Sequence, residues 1–292
     1  APSHRRGYYG AYAQAGAPVG VILANIAFIS VSLLTSEESF LTWGWRIPFL
    51  ISFVLVIISM YIQLRLEDTK AFKELEAAKS SQDSTKQEIK SSPILEALRR
   101  YPRRISLAAG AFLSIQVTFY ILVAFILAYG VATTDLSRND LLAAVLIGSA
   151  IMVPLQFYFS HYSDKNGRKG IFMAGAFLTA LWSFFLFPLI DTGNFYLVIL
   201  AVTGGLAFLG MMYGPQAAFF AELFSTEVRY SGASLGYQIG AILGGSFAPT
   251  IATLLWTSYD IFWVSVYIAL ASAASLLSVY FLTETYKTDL NK

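Results

Sequence analysis

Eight long apolar stretches are the feature of this sequence that most limits how the chain can fold. An α-helix needs roughly 20 predominantly apolar residues to cross the hydrocarbon layer of a bilayer, which is about 30 Å thick. Such stretches occupy residues 8–34, 47–64, 105–130, 141–160, 171–190, 195–221, 231–256 and 261–282. Only 13% of the 292 residues are charged, whereas a soluble domain has about 25%. The sequence therefore predicts an all-α membrane protein with eight spans.

The remaining composition argues against several classes of function. A net charge of +2, with the basic residues placed between the spans, does not predict a nucleic-acid partner. The chain has no cysteine and only two histidines, His4 and His161, so we expect no metal site and no cofactor. We find no H-E-x-x-H and no glycine-rich phosphate loop, and an enzyme is not expected.

The basic residues predict the orientation of the chain. If both ends face the cytoplasm, 18 of the 20 Lys and Arg residues lie on the inner side, and only Arg46 and Arg138 lie outside. Because inner loops are enriched in Lys and Arg, the sequence predicts a multi-pass protein of the plasma (inner) membrane with both termini of this chain cytoplasmic.

An internal repeat predicts two related halves. Gly236, Gly240, Gly244 and Ala248 recur every four residues, which places them on one helix face where another backbone can approach closely. A shift of 224 positions aligns this stretch with the first span, where Gln14, Gly16, Gly20 and Ala24 correspond to Gln238, Gly240, Gly244 and Ala248. The first two spans thus match the last two. Equal halves of six helices predict four helices before Ala1, a repeat architecture typical of transporters.

The polar segment 65–104 separates these halves. We therefore expect 1–64 to be the last two helices of an N-terminal bundle, 65–104 a cytoplasmic linker, and 105–292 a C-terminal six-helix bundle. Ser92-Pro93 is typical of a helix start. The apolar Ile94, Leu95 and Leu98 precede four arginines at 99, 100, 103 and 104, which predicts a short interfacial helix against anionic headgroups. A regulatory partner site is the alternative.

Several motifs carry a resemblance to a known family. Asp164-Lys165-Asn166-Gly167-Arg168-Lys169 resembles the D-x-x-G-R-[RK] loop of the major facilitator superfamily. The stretches that narrow the resemblance are Trp43-Gly44-Trp45-Arg46-Ile47-Pro48-Phe49, Leu66-Glu67-Asp68-Thr69, Ala221-Glu222-Leu223-Phe224 and Arg229-Tyr230-Ser231-Gly232. Together they are similar to the metabolite:proton symporters, which carry shikimate, α-ketoglutarate, proline or betaine. The resemblance implies the major facilitator fold, with eight of its twelve transmembrane helices present, and alternating access around a site near the bilayer midplane.

Polar side chains inside apolar spans are the candidates for that site, because their unpaired burial is costly. The candidate substrate-binding residues are Gln14, Asn25, Gln116, Tyr120, Tyr213, Gln216, Tyr237 and Gln238. Gln156 is a further candidate. Each could instead form hydrogen bonds between helices. For the cytoplasmic gate we predict a network of Asp164, Arg168, Glu222 and Arg229; solvated loop charges are the alternative.

The resulting prediction is a proton-coupled symporter of a small polar metabolite, such as an organic acid or osmolyte. No carboxylate lies in the middle of a span, so the proton-coupling acid is expected among the missing N-terminal helices rather than at His161. The predicted partners are the substrate, protons, the lipid bilayer and those helices. A proton-coupled exporter, which the Gly16-Ala17-Pro18-Val19-Gly20 stretch faintly resembles, a sensor and a non-transporting truncated fragment are the alternatives.

Overall fold

The computed structural model describes residues 3–65, 93–225 and 228–287. In these ranges eight helices are long and apolar enough to cross a membrane. They are α1 Arg6–Leu34, α2 Arg46–Arg65, α3 Pro102–Thr133, α4 Arg138–Asn166, α5 Arg168–Asp191, α6 Phe195–Glu222, α7 Arg229–Ser258 and α8 Ile261–Phe281. The eight predicted spans are confirmed. Positions 66–92 of the predicted linker, including the Leu66-Glu67-Asp68-Thr69 motif, lie outside the described residues.

Local signals in the sequence fix where the helices begin and end. The Ser137 hydroxyl accepts the amide of Asp140 and the Asp140 carboxylate accepts the amide of Ser137, which is a capping box at the start of α4. Asn194 and Asp260 cap the starts of α6 and α8, each through a side-chain oxygen that accepts a backbone amide. Helix α4 ends at Gly167, whose φ of 101° is in the region that favours glycine.

The glycine stripe of α7 packs directly on α3. A Cβ added at Gly240 would lie 2.7 Å from the carbonyl oxygen of Ala109, and one added at Gly244 would lie 3.1 Å from that of Leu113. The close approach that the stripe predicts is therefore confirmed. At the corresponding Gly16 of α1, an added Cβ would meet no described atom within 4 Å.

Hydrogen-bonded serines attach α8 to its neighbours. The hydroxyls of Ser114 in α3 and Ser272 in α8 are 2.8 Å apart, and both residues are buried. The Ser265 hydroxyl of α8 donates to the carbonyl oxygen of Ser183 in α5 at 2.7 Å. Such bonds stabilise helix pairs in membranes, where burial of apolar surface contributes little to association.

Helices α3 and α7 each contain a π-helical segment, Ile121–Phe125 and Ile242–Ser246. The first begins one residue after Tyr120, and an added Cβ at Gly245 in the second would lie 2.7 Å from a ring carbon of that tyrosine. The two distortions therefore meet at the same place. Segments of this kind are frequent at functional sites.

Contacts divide the chain into two compact units, and the predicted division into two bundles and a linker stays a prediction. The first unit comprises Ala1–Ile29 and Pro93–Lys292, and the second Ser30–Ser92. In the first unit, α1 is held by polar contacts to α4 and α6 that are described below. In the second, Pro48 is the buried residue of α2, and the side chains of Phe49, Leu50 and Phe53 are each more than 60% exposed.

Candidate substrate cavity and charge cluster

A buried arginine holds two carboxylates at one end of the first unit. Arg168, the first residue of α5, is 1% exposed. Its Nε donates to Glu222 Oε2 at 2.6 Å and its Nη2 to Glu222 Oε1 at 2.8 Å. Nη2 also lies 3.1 Å from Asp164 Oδ1. This paired geometry is the strong form of a charge-assisted hydrogen bond. We call Asp164, Arg168 and Glu222 the charge cluster.

Asp164 also binds the start of α1. Its Oδ1 accepts the amide of Gly7 at 2.7 Å, and its Oδ2 accepts the amide of Tyr8 at 2.9 Å. These amides have no partner within their own helix, and the helix N-terminus favours a negative charge. Gly7 permits the contact, because an added Cβ would lie 2.6 Å from Arg168 Nη1. One carboxylate therefore joins α1 to α4 and α5.

The residues after α8 complete the cluster, and sequence reasoning did not include them. The Thr285 hydroxyl donates to Glu222 Oε2 at 2.7 Å. Glu284 accepts the amides of Arg168 and Lys169 at 2.9 and 3.0 Å, and so caps α5. The available signal was the Leu282-Thr283-Glu284-Thr285 stretch, which echoes Leu66-Glu67-Asp68-Thr69.

Three of the four predicted gate residues are thus brought together. The fourth, Arg229, begins α7 and lines the neighbouring cavity. Arg6, which was not predicted, has its Nη1 4.0 Å from Glu222 Oε1. The gating role of these side chains stays a prediction.

A cavity of about 500 Å³ lies between α1, α6 and α7. Its polar lining consists of Gln14, Gln216, Arg229, Tyr230, Ser234 and Tyr237. Gln14 Nε2 donates to Gln216 Oε1 at 2.6 Å and to the Tyr213 carbonyl oxygen at 3.3 Å. Both glutamines are buried. The wall therefore combines amide and hydroxyl groups with one guanidinium group.

A second cavity, of about 130 Å³, lies beside it. Gln116, Tyr120, Tyr213 and Tyr237 line this space together with apolar side chains. Tyr237 lines both cavities and packs on Phe112 with a ring-centroid distance of 4.2 Å. The two cavities therefore share one tyrosine wall.

Two predicted substrate-binding residues lie outside both linings. Asn25 is 6% exposed, and its Nδ2 donates to the Val21 carbonyl oxygen in its own helix at 2.9 Å. Gln238 is exposed. Gln156, the further candidate, is fully buried, and its Nε2 donates to the Ala11 carbonyl oxygen at 3.2 Å. Gln156 Oε1 has no hydrogen-bond partner among the described residues.

The eight long apolar helices and the polar cavity between three of them define the class of multi-span α-helical membrane proteins. The family model of the Major Facilitator Superfamily matches residues 1–236, and the chain belongs to this family. It is 34% identical over 298 residues to the inner membrane metabolite transport protein YhjE of Escherichia coli (strain K12), an alignment covering 99% of this chain and 65% of that protein.

Other relatives are also transport proteins. The chain is 33% identical to the shikimate transporter of Escherichia coli (strain K12), with 92% of this chain and 60% of that protein covered. It is 26% identical to the proline/betaine transporter of Salmonella typhimurium, with 99% and 58% covered. The chain thus spans 58–65% of the length of these three relatives. The resemblance noted in the sequence is confirmed, and the relatives are transporters rather than enzymes.

A solved structure has the same fold. The proton:xylose symporter XylE bound to 6-bromo-6-deoxy-D-glucose aligns with a TM-score of 0.64 at 20% identity, covering 99% of this chain and 66% of that one. The predicted major facilitator fold is therefore confirmed.

Proposed function

We propose that the protein is a proton-coupled symporter that carries a small polar metabolite across the plasma membrane by alternating access. The observation that carries the proposal is the cavity of about 500 Å³ between α1, α6 and α7. Amide, hydroxyl and guanidinium groups on an otherwise apolar wall suit a small, oxygen-rich solute, because these few polar groups supply directed hydrogen bonds while most of the wall is apolar. The names of the transporting relatives support the same class of substrate.

The cavity draws side chains from both predicted bundles, which favours alternating access. Gln14 belongs to the predicted N-terminal bundle of 1–64, and Gln216 and Tyr237 belong to the predicted C-terminal bundle of 105–292. A site between two bundles is exposed to one side or the other as they rock. We propose that the 2.6 Å Gln14–Gln216 hydrogen bond is exchanged for contacts with substrate. The remaining polar lining, Gln116, Tyr120 and Tyr213, would contact it from the second cavity.

The charge cluster is proposed to close the cytoplasmic side. It lies at the end of the helices where the basic residues concentrate, and because inner loops are enriched in Lys and Arg we propose that this end and both termini of the chain face the cytoplasm. The Asp164 bonds to the amides of Gly7 and Tyr8 join the two predicted bundles. We propose that these bonds break when the cytoplasmic side opens, and that Arg229 stabilises the closed state alongside Arg6.

The proton site is proposed to lie beyond the side chains described above. Within the eight helices, the carboxylates Asp140, Asp164, Asp191 and Glu222 each lie in a first or last turn. A carboxylate that exchanges protons during transport is generally found deep in a span. We therefore propose that helices outside this chain complete the first bundle and supply that group, in accord with the partial coverage of the relatives.

Transport by the full gene product in proteoliposomes tests the proposal. Vesicles loaded with unlabelled shikimate, proline, betaine or an organic acid are diluted into the same labelled solute, with and without an inward proton gradient. The proposal predicts counterflow of at least one solute and net uptake that needs the gradient. Gln216→Leu should lower kcat/KM by at least tenfold, since loss of one buried hydrogen bond to a polar ligand costs about 1.5 kcal/mol. Gln63→Leu, at an exposed position of α2, is the matched control. Gradient-independent exchange alone would contradict proton coupling.

A further inference from the structure

The short helix Pro93–Arg100 presents an exposed apolar face next to the membrane-spanning α3. One residue, Tyr101, separates it from Pro102, the first residue of α3. At 3.6 residues per turn, Ile94, Leu98 and Leu95 share an arc of about 100°. These side chains are 52%, 40% and 43% exposed. Ala97, about 60° outside the arc on the side of Ile94, is fully buried in the core. The helix is therefore anchored through a small residue beside the arc, and the arc itself stays exposed.

Positive charge borders that face. The arginines at 99, 100, 103 and 104 are all exposed. Arg99 follows Leu95 around the helix, at the margin of the apolar arc. Arg100 lies on the opposite side, with its Nη1 3.9 Å from Glu96 Oε1. An apolar face with arginine at its margin is the pattern of helices that insert into the headgroup region of anionic membranes.

We propose that the helix Pro93–Arg100 docks on the anionic phospholipid surface of the bilayer and couples that contact to the connection between α6 and α7. The choice of lipid as the occupant rests on position and charge. The helix adjoins a spanning helix, so its apolar face lies at the height of the headgroups. The inner leaflet that its arginines would face carries the anionic lipids.

The residues that follow the helix Pro93–Arg100 contact the α6–α7 connection; Tyr101 directly adjoins that helix, and Arg104 lies in the first turn of α3. The Tyr101 ring meets Phe224 edge to face at 5.9 Å, and its hydroxyl is 3.4 Å from Ser225 Oγ. Arg104 Nη1 donates to the Leu223 carbonyl oxygen at 2.6 Å. These partners directly follow Glu222, the carboxylate that binds Arg168. A change in the position of the helix on the lipid surface is therefore transmitted to the residues next to the charge cluster.

Spin labelling of the full gene product tests the docking step. This chain has no cysteine, so once any cysteine outside it is replaced by serine, Leu98→Cys and Glu96→Cys each place a single label on one face of the helix. The variants are reconstituted in nanodiscs of phosphatidylcholine, with or without phosphatidylglycerol, and label immersion is measured from collisions with oxygen and a water-soluble nickel complex. We expect the Leu98 label to immerse with phosphatidylglycerol and the Glu96 label to stay in water. Equal immersion of the Leu98 label in both lipids, or a water-exposed label in both, would overturn the proposal.

Two double variants with the same change in net charge test whether the attraction to lipid depends on the arginines next to the helix or on the net charge of the protein. Each arginine near an anionic surface contributes about fivefold to membrane partitioning. Arg99→Gln with Arg103→Gln should therefore lower the ratio of immersed to water-exposed Leu98 label by about 25-fold. Arg46→Gln with Arg138→Gln removes the same charge from the two arginines predicted to lie on the outer side, and should leave immersion unchanged. An equal loss in both pairs would contradict a local docking surface.

The coupling step has its own readout. Phosphatidylglycerol should slow amide hydrogen exchange in the segment after Glu222, and Arg104→Gln should abolish this slowing while the Leu98 label stays immersed. Slowing that persists in Arg104→Gln, or exchange that does not respond to the lipid, would overturn the coupling. Neither measurement requires transport, so failure of the proposed function would not produce these results.

Discussion

Gly7→Ala is the smallest change that should separate α1 from the charge cluster. The added methyl group would lie 2.6 Å from Arg168 Nη1, 2.8 Å from Asp164 Oδ1 and 2.9 Å from the Ser160 carbonyl oxygen. The last of these is backbone and Arg168 is buried between two carboxylates, so the neighbours have little room to move. Overpacking of this kind costs about 1–3 kcal/mol. Loss of the Asp164 cap on the amides of Gly7 and Tyr8 adds about 0.5–2 kcal/mol.

The two effects together disfavour the docked arrangement by about 1.5–5 kcal/mol, a shift of roughly 10-fold to 5,000-fold in the equilibrium between docked and undocked α1. Spin labels at Arg5→Cys and Lys165→Cys, both at exposed positions, report this equilibrium by pulsed distance measurement. We expect a single short distance in the otherwise unchanged protein and a longer, broader distribution with Gly7→Ala.

Gly170→Ala is the matched control for this measurement. It adds the same methyl group near the start of α5, where no described atom lies within 4 Å of the new Cβ. The control should keep the short distance. An unchanged distribution in Gly7→Ala would refute the reasoning that Asp164 and Arg168 hold the start of α1 at close contact.

Three further changes follow from the same contacts, and thermal unfolding in detergent measures each. Arg168→Gln leaves Asp164 and Glu222 buried without their cation and should destabilise the protein by about 3–5 kcal/mol. Arg168→Lys keeps the charge but not the paired hydrogen bonds, so its melting temperature should fall between those of Arg168→Gln and the unchanged protein. Equal melting temperatures of all three proteins would contradict a stabilising role of the charge cluster. Gly240→Ala should cost about 1–3 kcal/mol because the new methyl would lie 2.7 Å from the Ala109 carbonyl oxygen; no loss would show that α3 and α7 can move apart cheaply. Tyr129→Phe should cost about 1.5–3 kcal/mol through loss of the 2.5 Å hydrogen bond to Asp191. An unchanged melting temperature would mean that hydrogen bonds to water replace this bond without loss of stability.

The spans and the face of α7 that packs closely on another backbone could be predicted from the sequence because both depend on local pattern. Apolar length determines which segments can cross a bilayer. A four-residue spacing of small side chains determines which face of α7 can approach another backbone, and Gly240 and Gly244 lie on that face. These properties need no knowledge of the partner helix.

The site could be predicted only in part, because it depends on which helices are neighbours. Asp164 and Arg168 are four residues apart and meet on adjoining helices, so a short motif contains them. Thr285 lies 63 positions from Glu222 in sequence, and no local pattern connects the two.

The repeat gave a misleading equivalence between Gln14 and Gln238. It aligns the two in sequence, but their surroundings differ. Gln14 is buried against Gln216, whereas Gln238 lies about 200° around α7 from the packed Gly236 and is exposed. A sequence repeat specifies which positions correspond and leaves their neighbours unspecified.

The most direct test of the central claim is whether a transported metabolite occupies the cavity between α1, α6 and α7. Ser234→Cys introduces a single thiol of this chain into the cavity wall, and its rate of reaction with a small maleimide can be followed in proteoliposomes. The account predicts that the transported solute slows this reaction, with half-protection near the KM for its transport, and that solutes which are not transported have no effect. Full reactivity of the thiol at saturating substrate, in vesicles that transport normally, would contradict it.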